Sequence, residues 1–266
     1  MHISHKTPFA RGLTALVERR GEHADMLMDL GILRLDQGDK YEDRASSDER
    51  AWLLASGSVI ISWDGGQAEI NRPDLFNHDP WCLSVPAGCT VRMEARSGSV
   101  ELYRMATDNP KTFAPRLYKP ADCHSEFRGA GTMRETSTRI VRTIFDDTNH
   151  SESLLVLGEV IGVPGKWSSY PPHHHHQPEI YHYRFLPEQG FGLTAIGTQA
   201  YVLKDRDTIL IRDGEDHPQV TAPGYAMWYL WVIRHLDGNR YSIPEFTEQH
   251  CWVTGPQEAI WQPAKS

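Results

Sequence analysis

The chain has 266 residues, 39% of them hydrophobic, and a formal net charge of −8. That length fits one large β domain or two small ones with a sizeable core. The acidic balance argues against a general nucleic-acid binder. No run approaches the ~18 apolar residues of a membrane span, and the opening MHISHKTPFARGLTALVERRGE lacks the apolar stretch of a secretory signal. The expectation is a cytoplasmic protein with a small-molecule partner, neither nucleic acid nor membrane. Cys82, Cys89, Cys123 and Cys251 form no CxxC pair, so they read as reduced, mostly buried thiols and not as a thiolate zinc site.

In chain order, helical pieces are expected only near Thr14 to Arg20 and around Arg44 to Glu49. Strands are predicted at Met26 to Leu35, Trp52 to Ser62, Gln67 to Asn71, Trp81 to Val85, Val91 to Ala95 and Val100 to Thr107. Trp63-Asp64-Gly65-Gly66 reads as a hairpin turn, because Asp-Gly supplies the positive φ of a tight connection. From Asp108 to about Arg139 the pattern weakens, with Pro110, Pro115, Pro120, Gly129 and Gly131, which predicts a long connection. Strands resume at Arg139 to Phe145, Ser153 to Val163, Ile180 to Phe185, Phe191 to Gly197, Ala200 to Leu203, Thr208 to Arg212, Gln219 to Ala222 and Met227 to His235. Many short strands punctuated by 21 Gly and 17 Pro predict an all-β chain of two barrels. The expected divisions are an N-terminal barrel over 1–110, a connection over 111–138 and a C-terminal barrel with its tail over 139–266.

The segment Pro171-Pro172-His173-His174-His175-His176-Gln177-Pro178-Glu179 carries the main chemical signal. Four consecutive histidines resemble an affinity tag, but tags sit at termini, and this run is internal with strand-like sequence on both sides. Side chains on a strand alternate faces, so His173 and His175 share one face, and His174 and His176 the other. Glu179 opens the next strand and can return to the same pocket. His217, after Gly214, is a fourth candidate; alone it would read as a solvent-exposed histidine before a proline. Imidazole and carboxylate together suit one divalent metal, zinc first, then Mn, Fe or Ni. In the first half His78 stands without a His-x-His neighbour, so no metal is expected there, and that barrel's expected role is packing or dimerisation. A homodimer is therefore among the expected assemblies.

The motifs His173-x-His175-x(3)-Glu179 and Gly214-x-x-His217 resemble those of the cupin superfamily of small β-barrels, although Gly165 lies eight residues before the first histidine, where cupins place a glycine six before. Gly165 to His173, Glu179 to Phe185, His217-Pro218 and Ala222-Pro223-Gly224-Tyr225, with Asp79-Pro80-Trp81 and Val85-Pro86-Ala87-Gly88 in the first half, resemble the 5-deoxy-glucuronate isomerase family of bacterial myo-inositol catabolism. The 5-keto-4-deoxyuronate isomerases are similar at the metal motif. The resemblance implies a bicupin with a metal in the C-terminal barrel, and isomerisation of 5-deoxy-D-glucuronate to 5-dehydro-2-deoxy-D-gluconate. The stretch His176-Gln177-Pro178 is shorter than the family's loop, which leaves open a paralogue acting on another sugar acid. The same motifs would also suit an Fe(II) cupin dioxygenase or a non-enzymatic metal-bearing sugar sensor.

Aldose–ketose isomerisation needs a cation to stabilise an enediolate and a group to move a proton. Strand parity nominates Tyr181 and Tyr183, which share Glu179's face, and Tyr229 on a later strand; for each, ordinary barrel core is the competing reading. Gln219 shares His217's face and is a candidate for substrate binding. A uronate carboxylate needs a cation, for which Lys166, Arg142 and Arg234 are candidates. Arg184 is out of phase with Glu179 and is expected to face away.

Overall fold

The computed structural model describes residues 1–44, 47–123, 125–256 and 259–263. Its strands build two barrels in sequence. The first is a nine-stranded sheet around the long strand Asp48–Trp63, which pairs with Gly66–Arg72, Cys82–Val85, Val91–Ala95 and Ser99–Asp108. The second combines a seven-stranded sheet, centred on Leu155–Gly162, Glu179–Leu186 and Ala226–Arg234, with a four-stranded one that includes Phe191–Ile196, Gln199–Lys204 and Gln219–Thr221. The all-β, two-barrel cupin architecture expected from the sequence is the one observed. In the Trp63–Gly66 hairpin, Trp63 pairs with Gly66, and Gly65 takes the positive φ of 100° that the two-residue turn requires.

Alternation explains how one strand serves two cores. In Asp48–Trp63, Trp52 and Leu54 point into the first barrel and pack with Leu33, Val59, Ile61, Leu83, Val91 and Leu102. Ala51 and Leu53 point the other way, into a core shared with Leu155, Leu157, Ile180, Trp228, Leu230 and Val232 of the second barrel. Each buried side chain of this kind contributes roughly 1.5–3 kcal/mol, so the shared core joins the barrels firmly. At its edge the fully buried Glu159 accepts from Arg72 Nη2 at 2.6 Å and from Arg142 Nη1 at 2.9 Å.

Three sequence expectations change here. The helix read near Thr14 to Arg20 is instead the strand Gly12–Val17, paired with Asp29–Asp36; cross-strand pairing overrides a short helical spacing. Of the helix near Arg44 to Glu49, Ala45 and Ser46 lie outside the described residues, and Asp48 and Glu49 open the strand Asp48–Trp63. The helical segments among the described residues are short 3-10 turns, the longest being Glu248–Thr254. The connection is also partly ordered into sheets: Arg116–Tyr118 pairs with Cys82–Val85 of the first barrel, and Ser125–Arg128 with Arg139–Phe145 of the second. His2–Ile3 crosses to pair with Thr208–Ile209 of the second barrel. Cys82, Cys89 and Cys123 are buried and Cys251 is exposed, all free thiols. No helix among the described residues is long and apolar enough to cross a membrane.

Candidate metal centre

The second barrel contains a cavity of about 530 Å³, and its wall includes His173, His175, Glu179 and His217. Glu179 is the first residue of the strand Glu179–Leu186, and its partners across the sheet are Ile211 and Ile233. Ile180 turns to the shared core while Glu179 and Tyr181 turn inward, the alternation that a strand imposes. His175 Nε2 lies 3.1 Å and His217 Nε2 3.4 Å from Glu179 Oε2. These three residues are buried, and their ligand atoms lie within 4.8 Å of one another. His173 stands beside them on the cavity wall, its ring centroid 4.8 Å from that of His217.

The second nitrogen of each imidazole is already committed. His173 Nδ1 meets Pro171 O at 3.0 Å, His175 Nδ1 meets Gln177 O at 2.8 Å, and His217 Nδ1 meets Glu215 O at 2.8 Å. A carbonyl accepts only, so Nδ1 carries the hydrogen and Nε2 keeps a lone pair. This is the tautomer a metal ligand needs, fixed by the backbone. Burial pushes the His173 and His217 imidazoles down to about 4, so both stay neutral at pH 7. His217 Nε2 is a buried nitrogen with no hydrogen bond. Two imidazoles and one carboxylate at one spot, with the His173 imidazole beside them, match the donor chemistry of a divalent transition metal.

The other two histidines of the run face away. His174 Nδ1 is 2.9 Å from Asp216 Oδ1, and His176 Nδ1 is 2.6 Å from Asp213 Oδ1; neither lines the cavity. Asp216 also accepts from Thr247 Oγ1 at 2.7 Å, and the short strand Glu245–Phe246 pairs with His173–His174. These contacts hold the tail against the cavity mouth, where Tyr241, Ile243, Pro244 and Phe246 line it. Tyr241 N–H donates to His235 Nδ1 at 2.9 Å.

Two of the three nominated tyrosines reach the cavity. Tyr229 Oη is 2.6 Å from Ser168 Oγ, and Tyr181 Oη is 3.3 Å from Ser169 Oγ. Burial raises both phenols, so they keep their protons. Tyr183 is fully buried behind them and is not part of the wall. Gln219 is behind the wall too, but its Nε2 donates to Ser169 Oγ at 3.4 Å, so it touches the cavity through Ser169.

The cations nominated from sequence lie elsewhere. Arg142 turns to the inter-barrel seam, donating to Glu159, Leu75 O and His78 O. Arg234 Nε donates to Thr107 Oγ1 at 3.2 Å, and Arg234 Nη1 to His235 O. Lys166 sits half-buried in the turn before Trp167–Ser168. None of the three lines the cavity. Arg184 pairs with Glu101 and Asp205, facing away as its phase implies. The wall does contain Arg139 and Arg128, which sequence reasoning does not nominate. Arg139 is three residues before Arg142 and so on the opposite face, a parity signal that becomes usable once one inward residue of that strand is known.

Residues 2–253 match the KduI/IolB family. A 5-deoxy-glucuronate isomerase of Geobacillus kaustophilus is 33% identical over 220 residues, covering 75% of this chain and 76% of that protein. One from Lacticaseibacillus casei is 26% identical, covering 85% and 87%. Among solved structures, an IolB-like protein of Salmonella typhimurium LT2 superposes with a TM-score of 0.83 at 22% identity over 93% of this chain and 97% of that one. The oxalate decarboxylase of Lactobacillus farciminis superposes at 0.67 and 12% identity, covering 94% and 88%, a likeness of fold alone. Family match, relatives and barrel architecture agree: the protein is a bicupin of the KduI/IolB family, an enzyme of the isomerase class.

Proposed function

We propose that the cavity of the second barrel isomerises a uronic-acid-type aldose to its ketose, and that the substrate is 5-deoxy-D-glucuronate, converted to 5-dehydro-2-deoxy-D-gluconate in myo-inositol catabolism. The relatives' names support the substrate. The site is proposed to hold one divalent metal, zinc in the first place, on His173, His175, Glu179 and His217. The observation that carries this is the convergence of imidazole Nε2 lone pairs on Glu179, with every Nδ1 fixed by a carbonyl. The buried thiols fit a reducing cytoplasm.

In the reaction C2 loses a proton and C1 gains one, while the O2 hydroxyl proton passes to O1. The bound cation supplies electrostatic stabilisation for the negative charge that develops on these oxygens. The chain's own residues do the rest. Tyr229 and Tyr181, protonated at neutral pH, donate to the oxygen that gains charge. Ser168 and Ser169 orient the two hydroxyls, and Gln219 steadies Ser169. Asp146 is the carboxylate of the wall outside the ligand group, and it is the proposed carrier of the carbon-bound proton. Trp231, Tyr241 and Phe246 exclude water from the charged intermediate. The test is to load the protein with zinc, add 5-deoxy-glucuronate and follow the ketose by NMR. Turnover that disappears on chelation and returns with metal supports the reading; a fully loaded protein with no turnover overturns it.

A further inference from the structure

The cavity has a second polar locus. Arg139 opens the strand Arg139–Phe145, and Val141 and Thr143 line the cavity with it. Arg139 is only 8% exposed. Its Nη1 donates to Ser137 O at 2.9 Å and to Ser137 Oγ at 3.0 Å, which leaves the Nε–Nη2 edge, the pair that grips a carboxylate side-on. Among the described residues no carboxylate pairs with it; its titratable neighbours are the protonated phenols of Tyr229 and Tyr181 and the Arg128 guanidinium.

Arg128 is a like charge in the least comfortable place. It stands directly opposite Arg139 in the register of Ser125–Arg128 with Arg139–Phe145 and lines the same cavity. Its partner is Glu126 on its own exposed strand, at 2.9 Å. Like charges directly opposite on a sheet repel, and a buried guanidinium without a counter-ion is costly. The backbone nonetheless makes room for it. Gly129 has φ +84°, and a Cβ there would lie 2.5 Å from Ser137 O and 3.2 Å from Arg139 Nη1.

We infer that Arg139, with Arg128 opposite it, forms a carboxylate-binding subsite in the wall of this cavity, and that the subsite selects sugar acids over neutral sugars. This deepens the reading of the same cavity as a sugar-acid isomerase and rests on it for the identity of the substrate. The metal group and the arginine pair then divide the substrate: one end reacts and the other is anchored. The remote carboxylate contributes binding energy that positions the reacting carbons.

The experiment uses the full-length zinc-loaded protein and the variants Arg139→Met and Arg139→Lys, with metal content and melting temperature recorded for each. Calorimetry measures binding of D-glucuronate and D-glucose as their methyl glycosides, which cannot open to the aldehyde and so do not react, and kinetics measures KM and kcat for 5-deoxy-glucuronate. The wild type is expected to favour glucuronate over glucose by at least about tenfold. Arg139→Met should weaken glucuronate and raise KM on the order of 10- to 100-fold, the effect of losing charge-assisted hydrogen bonds, with zinc retained and glucose binding unchanged. Arg139→Lys keeps the charge without the fork and folds under the same constraints, so it should fall between. Wild-type KM and glucuronate affinity in both folded variants overturn the subsite and leave the isomerase reading standing. A wild type that binds glucuronate through Arg139 but turns over no 5-deoxy-glucuronate overturns the reaction and supports the subsite.

Discussion

The two barrels share a topology and differ in what they enclose. The first is filled: Trp52, Leu54, Val59, Ile61, Ile70, Met93 and Leu102 close its interior. The second carries His175, Glu179, Tyr181, His217 and Tyr229 on the wall of an open volume. Both lean on the same shared core, with Ala51 and Leu53 on one side and Trp228 and Leu230 on the other. The difference shows that outward alternation builds the fold while inward alternation decides between core and site. A barrel whose sheet is already stabilised from behind can give up its own interior packing to chemistry.

The largest effect that tests this division should come from the ligand group. His175→Ala is expected to take metal content from about one ion per chain to near zero and to lower isomerisation at least 10³-fold, read by elemental analysis and the ketose NMR assay. Full metal content in that variant would refute the assignment. Next comes the filled barrel. Trp52→Ala should cost about 3–5 kcal/mol of stability, seen as a fall in the denaturant midpoint, while kcat of the folded fraction stays within about twofold. A folded Trp52→Ala protein without activity would mean that the barrels do not separate into support and site.

Acid should distinguish the barrels as well. Burial holds the His235 imidazole at about 4, against ~6.5 when unfolded. Between those values the unfolded chain binds the extra proton, so the contribution is complete above pH 6.5 and falls away as pH drops towards 4, by up to roughly 3 kcal/mol. His235 accepts the Tyr241 N–H, so the second barrel should loosen first. Hydrogen exchange at pH 7 and pH 5 reads the order, and His235→Asn should flatten the stability slope. The smallest expected change is Tyr229→Phe, which should lower kcat about 10- to 100-fold with KM little altered, since the lost hydroxyl serves the charged intermediate. Tyr183→Phe, outside the wall, should stay within about twofold. Equal effects in the two would return Tyr229 to the role of core residue.

Much of the scaffold was legible because period-2 patterns survive burial on one face. Val91–Ala95 and Arg139–Phe145 have the bounds expected from sequence, and the Asp64-Gly65 turn follows from φ alone. Gly12–Val17 was not legible as a strand, since its pairing with Asp29–Asp36 is a tertiary fact. At the site, parity separated His173 and His175 from His174 and His176. It could not choose between Arg139 and Arg142, because Arg139–Phe145 is apolar on both faces: Val141 goes to the cavity barrel and Ile144 to the shared core. Tyr241 and Phe246 sit in a tail with no periodicity to read, and its contacts with Asp216, His173–His174 and His235 bring it to the cavity.

The pairing of His2–Ile3 with Thr208–Ile209 also has a meaning in time. Met1 N donates to Leu210 O across 209 positions of chain. Closing so long a span costs only about 2 kcal/mol more than closing one a tenth as long, so the finished fold bears it easily. The ribosome does not: at ~5–20 residues per second, His2–Ile3 waits on the order of 10–40 seconds for its partner. During synthesis that segment is an unpaired strand, and the second barrel cannot complete that edge until Thr208–Ile211 has emerged.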